Sequence, residues 1–242
     1  MDTRNTRPQD IDVVILCGGL GKRLQGVIQD RPKPMAEIQG SPFLDILIDY
    51  VAHHGFTRFI LCAGYKGDFI RKHYEHRKGK LAFFVSMEDR PLGTAGAIKN
   101  AESIIVSDPF LVLNGDSLCE IDLEDFLRFH GFKKAFLCIA LASMRRPTDY
   151  GIITLDENRR VIRFDEKLPV EDNRLVNAGI YLCDRKILAE IPSGEKQSLE
   201  VDLLPRILDK GIYGYITEKI LLDIGTPERL ELAVDYFREM KK

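Results

Sequence analysis

Three glycines, an arginine and a lysine stand close together near the N-terminus: Gly18-Gly19-Leu20-Gly21-Lys22-Arg23-Leu24, then Arg31-Pro32-Lys33-Pro34-Met35. Glycine lets backbone N–H groups come within hydrogen-bond distance of phosphate oxygens, because no Cβ intervenes. Arg23 and Lys33 add permanent positive charge for a polyphosphate whose charge grows during reaction. The run follows the apolar segment ending at Ile15-Leu16-Cys17, so it reads as a phosphate-holding loop over a sheet edge, with chemistry at phosphorus. Two better-known loops do not fit. The Walker pattern needs Gly-Lys-Ser/Thr, and Gly21-Lys22 is followed by Arg23. The dinucleotide fingerprint needs a third glycine where Leu24 stands.

Carboxylates recur at strand ends. Asp116 ends the apolar Phe110-Leu111-Val112-Leu113 through Asn114-Gly115, and Asp223 follows Ile220-Leu221-Leu222 just before Gly225-Thr226-Pro227. Such aspartates can hold a magnesium ion that bridges phosphate oxygens, although each is also a natural turn residue or helix cap. Leu92-Gly93-Thr94-Ala95-Gly96 is a second glycine-rich turn opening a helix. It is small enough for a flat base to lie against the backbone, and it also suits a plain helix start with Thr94 near the cap. Glu166-Lys167, after Val161-Ile162-Arg163-Phe164, places a carboxylate and an ammonium at another strand end, and Asn177-Ala178-Gly179 can bond hydroxyls. His53-His54 falls at a helix end, where cations complement the dipole. His73 and His76 share a helix face without a third ligand to complete a metal site.

These groups need a scaffold, and the first half supplies one by alternating strand and helix. Apolar strand candidates at 12–17, 58–63, 81–86 and 109–114 enclose helical patterns at 42–54, 67–77 and 94–104. Pro42 lies just inside the first helix and Gly55 closes it. Continuous apolar strands alternating with helices imply an α/β fold, its parallel sheet covered on both faces, with ligands at the carboxyl ends of strands. Gly18–Arg23 and Asn114-Gly115-Asp116 both fall at such ends. After Asp122 the rhythm changes: a helix at 122–130, strands at 135–142, 151–155, 160–165 and 175–182, a helix at 199–209, strand-like 212–217 and 219–223, and a final helix opened by Thr226-Pro227-Glu228. We read residues 1–10 as a flexible leader and 11–242 as one domain, in which 11–121 form the nucleotide-binding core and 122–242 a smaller lobe with the C-terminal helix.

Bulk properties narrow the class. With 35 basic and 37 acidic residues the net charge is −2, which leaves no electrostatic footprint for nucleic acid. No apolar run approaches the ~20 residues of a membrane span, and the polar first ten residues are unlike a signal peptide. The five cysteines show no CxxC spacing and lie mostly in or beside apolar runs, as expected of reduced thiols in a cytoplasmic protein.

Together these residues resemble the signature of sugar-1-phosphate nucleotidylyltransferases. Gly18–Leu24 with Pro32-Lys33-Pro34 is followed in family order by Pro91–Gly96, Asn114-Gly115-Asp116, Glu166-Lys167, Asn177-Ala178-Gly179, Glu200-Val201-Asp202 and Asp223–Pro227, over roughly residues 12 to 240. The resemblance implies a Rossmann-like, mostly parallel sheet with helices on both faces and a smaller sugar-binding lobe. It assigns Leu16, Gly18, Gly19, Gly21, Arg23, Glu88, Gly93, Thr94, Gly115 and Asp116 to the nucleotide. Lys33, Tyr150, Gly151, Glu166, Lys167, Asn177 and Gly179 fall to the sugar phosphate. Arg23, Lys33, Asp116, Lys167 and Asp223 become the catalytic set, with Asp116 and Asp223 holding Mg²⁺.

Within the family, Gln25–Asp30 replaces the common Pro-x-Thr segment. That departure, with Cys17 and Pro34-Met35-Ala36, is similar to guanylyltransferases that make GDP-activated D-glycero-α-D-manno-heptose for bacterial surface glycans. The expected substrates are therefore GTP and a sugar 1-phosphate, in a monomer or homodimer. Longer relatives carry further domains beyond the Asp223 motif, so a single activity is expected here. A mannose- or glucose-1-phosphate enzyme would share every motif, and a non-catalytic sugar-nucleotide sensor is the rival of another class.

Overall fold

The computed structural model describes residues 7–24, 26–77, 79–145, 147, 149–166 and 172–240. The first six residues of the expected leader, and Lys167, lie outside them. Residues Pro8–Asp10 form a 3₁₀ turn tied by an ion pair between Arg7 and Asp10.

The first half runs β1 (Asp12–Leu16), the short hairpin β2 (Glu37–Ile38) and β3 (Ser41–Pro42), α1 (Phe43–His53), β4 (Arg58–Ala63), α2 (Gly67–Tyr74), β5 (Ala82–Met87), α3 (Gly93–Asn100), β6 (Phe110–Asn114) and β7 (Ser117–Cys119). The second runs α4 (Leu123–Lys133), β8 (Leu137–Arg145), β9 (Gly151–Leu155), β10 (Val161–Glu166), β11 (Asn173–Cys183), α5 (Leu204–Arg206), β12 (Ile212–Thr217), β13 (Leu221–Asp223) and α6 (Pro227–Met240). Strands β1, β4 and β6 are buried almost end to end, which is why they read as unbroken apolar runs.

Among the described residues the main sheet has nine strands, in the order β10-β9-β11-β6-β1-β4-β5, with β8 joined to β11 and β12 to β8. The pairs β6-β1, β1-β4 and β4-β5 are parallel, and β11 enters antiparallel beside β6. Alternate residues of β1 feed cores on opposite faces: Val13 and Ile15 pack with α1, α2 and α4, and Val14 packs with α3. Helices thus cover both faces.

Two devices aim the site. Strand β11 is long enough to pair with β8 along one edge at both its ends and, along the other edge, with β9 near its start and β6 near its end, so it carries the second half onto the first. Its register against β8 shifts between Asn177 and Tyr181, where Gly179 adopts φ +73°. A bulge of this kind needs a residue free of Cβ strain and redirects its neighbours. A Cβ at Gly179 would also lie 2.7 Å from Asn114 Nδ2. The helix expected over 199–209 is instead a π-helical turn (Leu199–Leu203), the single turn α5, and a 3₁₀ turn (Leu208–Lys210). Pro205 has no N–H to continue a regular ladder there.

Candidate active site

The carboxyl ends of β1 and β6 meet over a cavity of about 460 Å³. The phosphate-loop residues Leu16, Gly18, Gly19 and Gly21 line one side, Lys33 and Asp116 the floor, and Glu88, Gly93 and Thr94 the far wall. The loop can come this close because Gly115 donates its N–H to Leu16 O at 3.0 Å, where a Cβ would sit 2.7 Å from that same oxygen. Gly21 takes φ +57° beside the Lys33 stem, and short 3₁₀ turns at Lys22–Leu24 and Lys33–Met35 turn the two basic segments toward one another.

Lys33 Nζ forms an ion pair with Asp116, and its side chain is only 15% exposed. A largely desolvated ammonium interacts strongly with any anion that reaches it. Beside it, Asn114 carries a buried amide oxygen without a partner among the described residues. Glu88 lies across Gly18, whose missing Cβ leaves room for the carboxylate, and accepts the Leu92 N–H at 2.9 Å. Half-burial pushes its carboxyl above the usual range, against the lowering effect of that hydrogen bond.

The second glycine-rich turn is packed against protein. Gly93 has φ +71°, and a Cβ there would run into Gln197 O and stand 2.8 Å from Gln197 C. Ala95 N–H donates to Gln197 O at 3.0 Å, and Gln197 N–H donates to Leu92 O at 2.8 Å, latching the start of α3 to residues 195–197. The Thr94 hydroxyl donates to Glu200 Oε2 at 2.9 Å and accepts the Leu199 N–H at 2.6 Å.

Asp116 and Asp223 come together through the backbone. Strands β7 and β13 pair with Asp223 opposite Ser117, and Ile224 N–H donates to Asp116 O at 3.0 Å. Their carboxylates have different partners. Asp223 accepts the Tyr150 hydroxyl, the Gly225 N–H at 2.8 Å and Arg229 Nη1 at 3.3 Å. Burial and the bond to Asp223 push the Tyr150 phenol up. Arg229 also bridges to Asp149 at 3.3 Å and stacks over Tyr150, 4.7 Å from the ring centre. Arg23 reaches the same Asp149 at 3.3 Å, so it stands on the Asp223 side of the loop. Among the described residues no cluster of three or more His, Cys, Asp or Glu forms a metal cage. Two carboxylates with hard oxygen donors still suit magnesium, which keeps waters and takes substrate oxygens for its other positions.

A second pocket of about 220 Å³ lies between the sheet and the π-helical turn, lined by Gly151, Asp165, Asn177 and Glu200 among others. Gly151 faces Glu166 across β9-β10, and Ile152 faces Val176 across β9-β11, which gathers these positions from three strands. Sequence reasoning passed over Asp149 and Arg229. Neither sits in a glycine-rich or strand-end motif, and Arg229 looks like any basic residue in a helix's first turn.

The profile of the nucleotidyl transferase family matches residues 12–238. The chain belongs to that family. Among nucleotidyl transferases it is 37% identical to the D-glycero-alpha-D-manno-heptose 1-phosphate guanylyltransferase of Aneurinibacillus thermoaerophilus, over 90% of this chain and 94% of that one. It is 36% identical to the enzyme of the same name from Campylobacter jejuni, over 90% and 96%. The crystal structure of HddC from Yersinia pseudotuberculosis, also solved complexed with GMP-PN, superposes with TM-score 0.84 at 35% identity, covering 94% of this chain and 99% of that one. The mixed sheet with parallel core strands is therefore the nucleotidyl transferase fold, and the chain is an enzyme of that class. Among the described residues no helix is long and apolar enough to cross a membrane.

Proposed function

We propose that the chain transfers a guanylyl group from GTP to D-glycero-α-D-manno-heptose 1-phosphate, giving GDP-heptose, a donor for surface glycans, and pyrophosphate. The observation that carries this reading is the pairing of Lys33 with Asp116 on the floor of a loop-lined cavity, linked through the Thr94–Glu200 hydrogen bond to a second pocket that Asp165, Asn177 and Glu200 help to line. Relatives and a superposable structure bearing guanylyltransferase names or a guanine nucleotide analogue support the choice of base and sugar.

A phosphate oxygen of the sugar 1-phosphate attacks the α-phosphorus, the α–β anhydride bond breaks, and its electron pair leaves with pyrophosphate. The nucleophile is already an anion, so positioning and charge neutralisation carry the catalysis. Lys33 draws the two anionic substrates together, with Lys167 in the same role on the sugar side. Arg23 holds the pyrophosphate side, and Gly18, Gly19 and Gly21 offer backbone N–H groups to the triphosphate. Asn177 lines the pocket on the sugar side, and Glu166, by its place in the motif, is assigned to the sugar as well. Asp116 and Asp223 are the residues that would hold Mg²⁺, which would supply charge neutralisation at the phosphate oxygens. Glu88 provides an acceptor for the N1–H and N2–H donors of guanine, which adenine and the pyrimidines do not present in that pattern.

Phosphorus NMR of the full chain with GTP, magnesium and the heptose 1-phosphate tests the reaction type. The expected products are a sugar-linked diphosphate and pyrophosphate in equal amounts. GDP with inorganic phosphate, or no conversion with bound GTP, contradicts it.

A further inference from the structure

Glu200 belongs to neither the phosphate loop nor the strand ends, yet it touches both substrate regions. It sits in the π-helical turn Leu199–Leu203, a geometry rare in globular proteins and often found where function needs it. Its neighbour Asp202 accepts the Ser198 N–H at 2.7 Å, while the Ser198 hydroxyl accepts the Val201 N–H at 3.2 Å. These reciprocal bonds hold the turn and leave Glu200 directed inward. Its carboxylate lines the 220 Å³ pocket.

Three hydroxyl groups converge on that carboxylate. Thr94 and Ser198 donate to Oε2 at 2.9 and 3.0 Å, and Tyr181 donates to Oε1 at 2.9 Å. Among the described residues no cation is paired with it in a salt bridge. An ionised carboxylate only accepts, so each hydroxyl must spend its hydrogen on Glu200 and turn its lone pairs outward. On the nucleotide side the Thr94 oxygen then receives the Leu199 N–H. On the other side the Tyr181 oxygen receives Asn177 Nδ2–H at 2.6 Å. The opposite edge of that amide is fixed too, because Asn177 Oδ1 accepts the Gly179 N–H at 3.0 Å across the bulge. One amide N–H of Asn177 is left for the pocket that it shares with Glu200. A hydrogen-bond donor there fits a hydroxyl or phosphate oxygen of a polyhydroxylated ligand.

We infer that Glu200 is a positioning residue: through Tyr181 it holds, together with the Gly179 N–H, the edge of Asn177 that faces the sugar, and through Thr94 it ties that edge to the nucleotide cavity. The inference rests on the proposed sugar-phosphate transfer but not on which sugar is used. Without the hydroxyl of Tyr181, only the Gly179 N–H still holds the Asn177 amide, and its free N–H is aimed less firmly at the ligand.

The test is steady-state kinetics of the full chain at saturating GTP, with whichever sugar 1-phosphate the wild type turns over fastest. Tyr181→Phe keeps the ring and removes the oxygen, and Glu200→Gln keeps the shape and removes the charge. Each is expected to raise KM for the sugar 1-phosphate by about ten- to a hundredfold, the scale of a lost charge-assisted hydrogen bond. In Tyr181→Phe, KM for GTP and kcat stay within about twofold, as when binding common to ground and transition state is removed. In an Asn177→Ala background neither substitution adds a further effect. An unchanged KM for the sugar 1-phosphate in Tyr181→Phe overturns the inference, as does a full additional penalty on top of Asn177→Ala. If Glu200→Gln fails to fold, judged by its melting curve, Tyr181→Phe decides alone. A preference for a sugar other than the heptose corrects the proposed substrate and leaves these ratios readable.

Discussion

Replacing Lys33 with alanine removes an ammonium that is 15% exposed and paired with Asp116. The kcat is expected to fall by ~10²–10³, the usual loss for one charge-stabilising group, with an unchanged melting temperature. A variant of near wild-type kcat contradicts the assignment. Glu88 makes a pH prediction. Burial raises its carboxyl above the ordinary value, and in the proposed contact only the ionised form accepts both guanine donors. The kcat/KM for GTP therefore drops as pH falls, with a midpoint above the ordinary glutamate value, and Glu88→Gln abolishes that acidic limb. A limb that persists in the variant places the titrating group elsewhere. Lys33 and Asp116 were legible in the sequence because a strand end, a glycine and a charge occur within a few residues. Arg229 and Asp149 were not, since their contact spans 80 residues of chain and depends on β13 turning back toward β7.

Elements place these side chains by close approaches that tolerate no extra atom. Gly93→Ala combines a strained φ of +71° with a collision against the Gln197 backbone, so residues 195–197 must shift. The expected cost is about 1–3 kcal/mol by denaturant unfolding, together with weaker nucleotide binding. A variant of wild-type stability shows that the latch is not rigid. Helix α4, capped by Asp122 accepting the Asp125 N–H at 2.8 Å, buries His130, whose pKa burial lowers to about 4. Because the folded value lies below the unfolded one, this stabilisation is complete above about pH 6.5 and fades as pH falls toward 4. The loss amounts to roughly 3 kcal/mol by pH 4, and His130→Leu should flatten it. An equally steep decline in the variant assigns it to other groups. The long buried strands could be read from sequence because burial on both faces forces continuous apolar runs. The short β7 and the broken turn around Pro205 could not: each is fixed by a few hydrogen bonds to distant chain rather than by its own periodicity.

At the scale of the whole molecule, β11 joins the two halves into one sheet by pairing with β8 along one edge and with β9 and β6 along the other. Cutting that sheet would expose strands on both sides, so residues 11–121 and 122–242 are expected to unfold together. Calorimetry should show one transition with equal calorimetric and van't Hoff enthalpies, and two resolved transitions would contradict a single cooperative unit. The same continuity sets the bulge at Asn177–Gly179 beside Asn114 of β6, so the proposed sugar and nucleotide positions share one framework. The most direct measurement is pyrophosphate release with magnesium across the four common triphosphates, each offered with heptose, mannose and glucose 1-phosphates. Turnover concentrated in GTP with D-glycero-α-D-manno-heptose 1-phosphate is the predicted result. Equal or faster release with another pair, or none with any, contradicts it.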